Sequence, residues 1–348
     1  MKRRLWATMG VAAAVAGVIA GTAGPALAEG DETLGPAGIE IAEGSGFAIG
    51  GVGMFYNGKG TISVDVPAGA TVKQVLLYWD GQTSGDNAPD DTAVVEGTDV
   101  TGTALSSAPI PFFEQKDLPV DASAYRADIT DLGLVVAGAN SVDVSGLDFQ
   151  RNGKNITNGA GILVVYDDGS GLKDLAVLDG VDTAFAEFPT PRDTTVPQTY
   201  TFEAADVERE ATFVAFASSV FDDGKRPNTL KVTIGDDEQV VTNPFKSTGG
   251  REYDAYELPL TIPAGVTSVT IQAISGPDDG SGELMELGRG RTDGGPTLGL
   301  QHILAYRPAN RDLTLRVLGT GFVQLPTLGT PLAGSGLFRL SASRDFAL

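Results

Sequence analysis

Apolar positions along the chain fall in short bursts rather than in helical stripes, and in many bursts they alternate with polar ones. TISVDV (Thr61–Val66) and SVTIQAI (Ser268–Ile274) alternate cleanly, as an antiparallel strand does with one face in a core and the other in water. VLLYW (Val75–Trp79), GILVVY (Gly161–Tyr166) and TFVAFA (Thr212–Ala217) are apolar on both faces, which predicts central strands covered on each side. Further strand-like bursts are AVVEG (Ala93–Gly97), SVDVSGLDF (Ser141–Phe149), LAVLDG (Leu175–Gly180), QTYTFEA (Gln198–Ala204), TLKVTIG (Thr229–Gly235), EQVVTN (Glu238–Asn243), AYELPLTI (Ala255–Ile262) and HILAYR (His302–Arg307). Gly, Pro, Asp or Asn bounds nearly all of them. No stretch sustains a 3.6-residue period, apart from a helical turn or two expected near Ala122–Leu132.

The pattern predicts an all-β protein of two consecutive β-sandwich, jelly-roll-like domains. Length also favours two domains over one. Pro and Thr collect and strand character lapses between Thr183 and Gln198, which places the domains at 29–185 and 196–310, with a tail over 311–348 that is expected to lack order. Each half opens one core strand with a similar turn, PAGAT at Pro67–Thr71 and PAGVT at Pro263–Thr267, which shared turn chemistry explains as well as duplication does.

The ends change the picture next. Lys2, Arg3 and Arg4 precede an apolar run that closes on Ala26-Leu27-Ala28, the small-x-small pattern of a secretory signal with cleavage between Ala28 and Glu29. The run is interrupted by glycines and Pro25 and falls short of the roughly 20 residues of a membrane span. Cleavage removes three of the 24 basic residues and none of the 45 acids, taking the net charge from −21 to −24. Such a surface repels nucleic acid and anionic lipid and attracts cations. Near the other end, Leu325-Pro-Thr-Leu-Gly329 resembles a wall-sorting signal, but Leu328 stands where that signal requires threonine, and the apolar span and basic tail are missing.

Cysteine is absent and His302 is the only histidine, which removes thiol catalysis and Cys/His zinc sites. His302 lies in a strand-like run without a nucleophile motif, so it reads as a packed or edge histidine.

The segments GATVKQVLLYWDGQTSG, DTAVVEGTDVTGTAL, YRADITDLG and GAGILVVYDDGSGLKDLAVLDGVD follow one another in order, with RPNTLKVTIG and GGREYDAYELPL later. In this the chain resembles secreted and surface β-sandwich proteins of bacteria and archaea grouped as a domain of unknown function. The resemblance covers roughly residues 45 to 310 and rests on structural rather than catalytic motifs. It implies a jelly-roll-like fold and an extracellular setting, and carries no active-site residue.

Individual candidates are few. Trp79 shares a strand face with Val75 and Leu77, as a core residue does, with a ligand-stacking platform as the alternative. Tyr78, on the opposite face, is the better candidate for exposure, and Tyr56, Phe112 and Phe113 are further stacking candidates. Asp167-Asp168, Asp222-Asp223 and Asp278-Asp279 each precede glycine at strand ends, offering hard oxygen ligands for calcium; none has the spacing of a dedicated calcium loop, and Asp-Gly is also ordinary turn chemistry. With 45 acids, paired carboxylates for glycoside hydrolysis arise by coincidence, and Glu283, Arg289 and Arg291 read as a charge-balanced loop. Asn155-Ile-Thr157 fits the glycosylation acceptor pattern but reads as a polar turn. Calcium is the one cofactor considered. The function expected is structural or adhesive, secreted or at the cell surface, with a cell-wall or extracellular glycan or protein as partner. Calcium-assisted carbohydrate binding is the second reading and a carboxylate-pair hydrolase the third.

Overall fold

A computed structural model of the chain describes residues 33–55, 57–84, 87–110, 120–173, 175–185, 190–220 and 227–276, and the backbone of 322–325 and 330–333. Among these residues there is no α-helix, and every strand pairing is antiparallel.

In chain order the strands of the first half are β1 (Gly35–Pro36), β2 (Gly46–Gly53), β3 (Gly60–Val66), β4 (Thr71–Ser84), β5 (Thr92–Val95), β6 (Thr98–Thr101) and β7 (Thr103–Pro109). They continue with β8 (Val120–Asp128), β9 (Gly138–Ser145), β10 (Gln150–Arg151), β11 (Lys154–Asn155), β12 (Thr157–Asp167) and β13 (Leu178–Asp179). A five-stranded sheet runs β2-β12-β4-β8-β7, and a four-stranded sheet runs β3-β9-β5-β6. The alternating face of β3 buries Ile62, Val64 and Val66 against Leu77, Trp79, Ile162 and Val164 of the larger sheet, and this is the core of a β-sandwich.

The second half contributes β14 (Gln198–Thr201), β15 (Arg209–Ser218), β16 (Thr229–Ile234), β17 (Asp237–Thr242), β18 (Tyr253–Ile262) and β19 (Ser268–Ile274). A four-stranded sheet runs β14-β19-β16-β17, and β15 and β18 form a two-stranded ribbon. Phe213, Ala215 and Ala217 on one face of β15 pack with Leu230, Val232 and Ile271 in a second core. Phe216 on the other face, with Tyr253 of β18, packs against Leu76, Tyr78, Leu163 and Val165 of the five-stranded sheet. The described body is therefore four stacked layers, and the ribbon belongs to two cores at once. Over β7 and β8 the outer face of the five-stranded sheet is covered by Val181 and Phe185, which pack on Ala108, Ala122 and Ala124.

Three sequence expectations change. The Ala122–Leu132 region is strand β8 followed by a single 3-10 turn at Thr130–Leu132. LAVLDG forms only a two-residue strand, Leu178–Asp179. The region read as a tail without order pairs Phe322–Leu325 with Thr330–Ala333.

Candidate functional site

The two halves meet on a patch of the five-stranded sheet that lacks side chains. Gly159 of β12 sits opposite Gly53 of β2, and Gly161 sits opposite Gly51, so four glycines occupy adjacent positions on one face. The ribbon lays its aromatic rings there. A Cβ on Gly161 would stand 2.5 Å from Cε1 of Phe216, and one on Gly159 would stand 2.5 Å from Cβ of Tyr253. Both separations are below any normal contact, so close approach of the layers requires glycine. The rings of Phe216 and Tyr253 stack with centroids 5.9 Å apart, and Tyr78 tilts against Phe216 at 5.6 Å.

Beside the rings lies a buried polar knot. Asp80 of β4 faces the ribbon and is wholly buried. Its Oδ2 accepts hydrogen bonds from Ser218 Oγ at 2.5 Å, across the layer boundary, and from Asn158 Nδ2 at 3.1 Å. Asn158 is the extra residue where the β12–β4 register shifts between Thr157 and Gly159, and this bulge brings its amide to Asp80. Asp80 Oδ1, Asn158 Oδ1 and Tyr253 Oη are buried without a hydrogen-bond partner among the described residues. Burial pushes the Asp80 carboxyl up to about 7, with the two hydrogen bonds opposing the shift. Burial, and then the nearby Asp80 charge, push the Tyr253 hydroxyl well above the ordinary phenol value.

A second polar pair lies further along the same face. Arg126 of β8 sits opposite Tyr78 in the register, forms an ion pair with Asp179 of β13, and donates to the Ala37 carbonyl at 2.8 Å. Burial raises the Asp179 carboxyl and Arg126 pulls it back down. The pair fixes the segments around β1 and β13 against the sheet.

Where the layers diverge, a cleft of about 890 Å³ opens between the halves. Phe47, Ile49 and Leu163 of the five-stranded sheet form one wall, and Tyr200, Phe213 and Leu260 of the second half form another. Burial pushes the Tyr200 hydroxyl up to about 12. The rim carries Tyr166, Lys173, Arg209, Glu210 and Glu257. Arg209 lies 5.1 Å over the Phe202 ring and donates to the Glu203 carbonyl at 2.8 Å. A concave surface of this size, with apolar walls and a charged rim in comparable measure, suits a small amphipathic ligand or an extended chain.

The residues singled out from sequence are placed as follows. Trp79 is a core residue: it is fully buried, stacks on Tyr125 at 5.8 Å, and its indole N–H donates to the Asp90 carbonyl at 2.9 Å. Tyr78 was expected to be exposed and is instead completely buried, because the ribbon covers the outer face of the sheet. Neither ring is available as a stacking surface. Asp167 and Asp168 sit in a turn where Asp167 Oδ1 accepts from Gly169 N–H at 3.0 Å and Asp168 Oδ1 from Ser170 N–H at 2.9 Å. Hydrogen bonds from Ser170 and Ser45 hold the Asp168 carboxyl down at about 2. Asn155 is absorbed in structure, donating to the Leu147 carbonyl at 2.6 Å and accepting from Thr157 N–H at 3.0 Å. Ala28, Glu29, Tyr56, Phe112, Phe113, Asp222, Asp223, Asp278, Asp279, Glu283, Arg289, Arg291 and His302 lie outside the described residues.

Sequence reasoning passed over Asp80, Asn158, Ser218 and Tyr253. One signal was present. Asp80-Gly81 reads as the turn that ends VLLYW, whereas β4 runs on to Ser84 with both residues inside it. A carboxylate in mid-strand on a covered sheet marks a buried polar site. No family model matches the chain, and no significant match is found among curated proteins or solved structures.

Proposed function

We propose that the chain is a secreted, non-enzymatic protein that acts outside the cell or at its surface in a structural or adhesive role. The observation that supports this most is the shared ribbon. Phe216 and Tyr253 seat on the four-glycine patch from one side while Phe213, Ala215 and Ala217 fill the second core from the other. A body joined in this way carries its loops on a shared framework and offers a broad surface. The sequence contributes the acidic charge and the N-terminal export pattern.

The test is to express the full chain in a bacterial host and to fractionate cytoplasm, wall and medium. A product beginning at Glu29 in the wall or medium fits the proposal. Retention in the cytoplasm with the first 28 residues intact contradicts it. The cleft between the halves supports glycan binding as a second reading, with Tyr200 and Tyr166 at its surface in place of Tyr78 and Trp79. A glycan array probed with and without calcium separates the two, and retention of no glycan removes the second.

A further inference from the structure

Asp80 lies at the junction of the two halves, with the bulge residue Asn158 on its own sheet and Ser218 on the ribbon as its hydrogen-bond donors. Both donors reach the same oxygen, Oδ2, and leave Oδ1 buried without a partner among the described residues. The groups facing Asp80 are Tyr78 on its own strand, Arg126 beyond it on β8, Tyr253 on β18, and the uncharged Asn158, Gly159, Gly161 and Ser218 on β12 and β15. Arg126 is committed to Asp179 and the Ala37 carbonyl, so no cation contacts Asp80 among the described residues. A carboxylate enclosed in this way carries an uncompensated charge, whereas a carboxylic acid placed there loses little on burial and gains an O–H donor.

We infer that Asp80 is a proton-operated clasp: protonated, it lets the ribbon seat on the five-stranded sheet, and its ionisation as the pH rises weakens that seating. The pH window follows from the direction of the shift. The carboxyl is raised from its ordinary value of 3.8 to about 7 when the layers are docked. Its contribution is therefore complete below the ordinary carboxylate value, is lost as the pH climbs from there to about 7, and changes no further above that. Between those limits the docking equilibrium weakens roughly tenfold per pH unit, the consequence of one proton bound in the docked state alone. Ser218 tempers the effect, since its hydroxyl also stabilises the ionised form.

The experiment compares the full chain with Asp80→Asn, which keeps the side-chain shape and cannot ionise. Melting temperature and amide hydrogen exchange across 212–218, 253–257 and 160–165 are followed from pH 4 to 9 at constant ionic strength. The expected result is a wild-type deficit relative to D80N that grows from pH 4 to about 7 and then levels, with the protection of those segments, once the intrinsic hydroxide-catalysed rate is divided out, falling roughly tenfold per pH unit relative to D80N over the same range. Parallel curves for the two proteins overturn the inference. A wild-type deficit that closes with added sodium or calcium, rather than with added acid, also overturns it and replaces the proton with a cation. Should D80N not fold, carbon-13 detection of aspartate carboxyls in the wild type decides. A buried carboxyl titrating near pH 7 sustains the clasp, and one ionised throughout the range refutes it.

Discussion

Single residues set how closely the layers approach. Gly161 fits against Phe216 only because it has no side chain, so Gly161→Val is expected to destabilise by about 1–3 kcal/mol or more through overpacking. Phe216→Ala, costly alone, should relieve that clash, so the double variant should lie closer to F216A than the sum of the singles. Denaturant titration of the four proteins checks this, and strict additivity would detach Gly161 from the ring. Arg126 and Asp179 are each about 5% exposed, so Arg126→Met leaves a buried carboxylate without its cation. The expected loss is about 3–5 kcal/mol, and the same titration reads it. At this scale Trp79 was legible, because its strand neighbours Val75 and Leu77 declared its face. Tyr78 was not. What covers it, Phe216 and Tyr253, lies more than a hundred residues along the chain, and no local pattern reports so distant a partner.

At the scale of elements, period-two alternation located β3, whose buried positions alternate with exposed ones, and β19, whose buried positions alternate with half-buried ones. The doubly apolar runs located β4, β12 and β15, and the four-layer stack explains them: each is covered on both faces. The strands β2, β7 and β8 were missed for a common reason. GFAIGGVG, TALSSAP and VDASAYRAD are rich in small residues with weak apolar contrast; the burial of β8 is imposed by what packs on it, while β7 is a largely exposed edge strand. In β2 the very feature that hid the strand, its glycines, makes the docking patch. The bulge at Asn158 is likewise an element-level feature that spacing alone does not disclose. Deleting Asn158 leaves Thr157 opposite Gly81 and Gly159 opposite Asp80 in a regular register, and removes both the amide that donates to Asp80 and the carbonyl that accepts from Met54 N–H. The expected outcome is loss of folded protein on expression, and a stable, native-like product would show the bulge to be dispensable.

For the molecule as a whole, the ribbon turns two sandwiches that the sequence presents in succession into one stack. Two domains joined by a linker alone would unfold independently, whereas two that share a ribbon have a common core to lose. Acidity adds a second whole-molecule effect. A net charge of −21 over the complete chain makes self-repulsion grow as carboxylates ionise, so added salt should raise stability at neutral pH by screening. The most direct test of the shared ribbon is calorimetric unfolding of residues 29–348 at pH 5, on the acid side of the proposed Asp80 transition. One transition, with equal calorimetric and van't Hoff enthalpies and a single midpoint shift on Gly161→Val, is the predicted result. Two separable transitions, only one of which responds to that substitution, would contradict a common core.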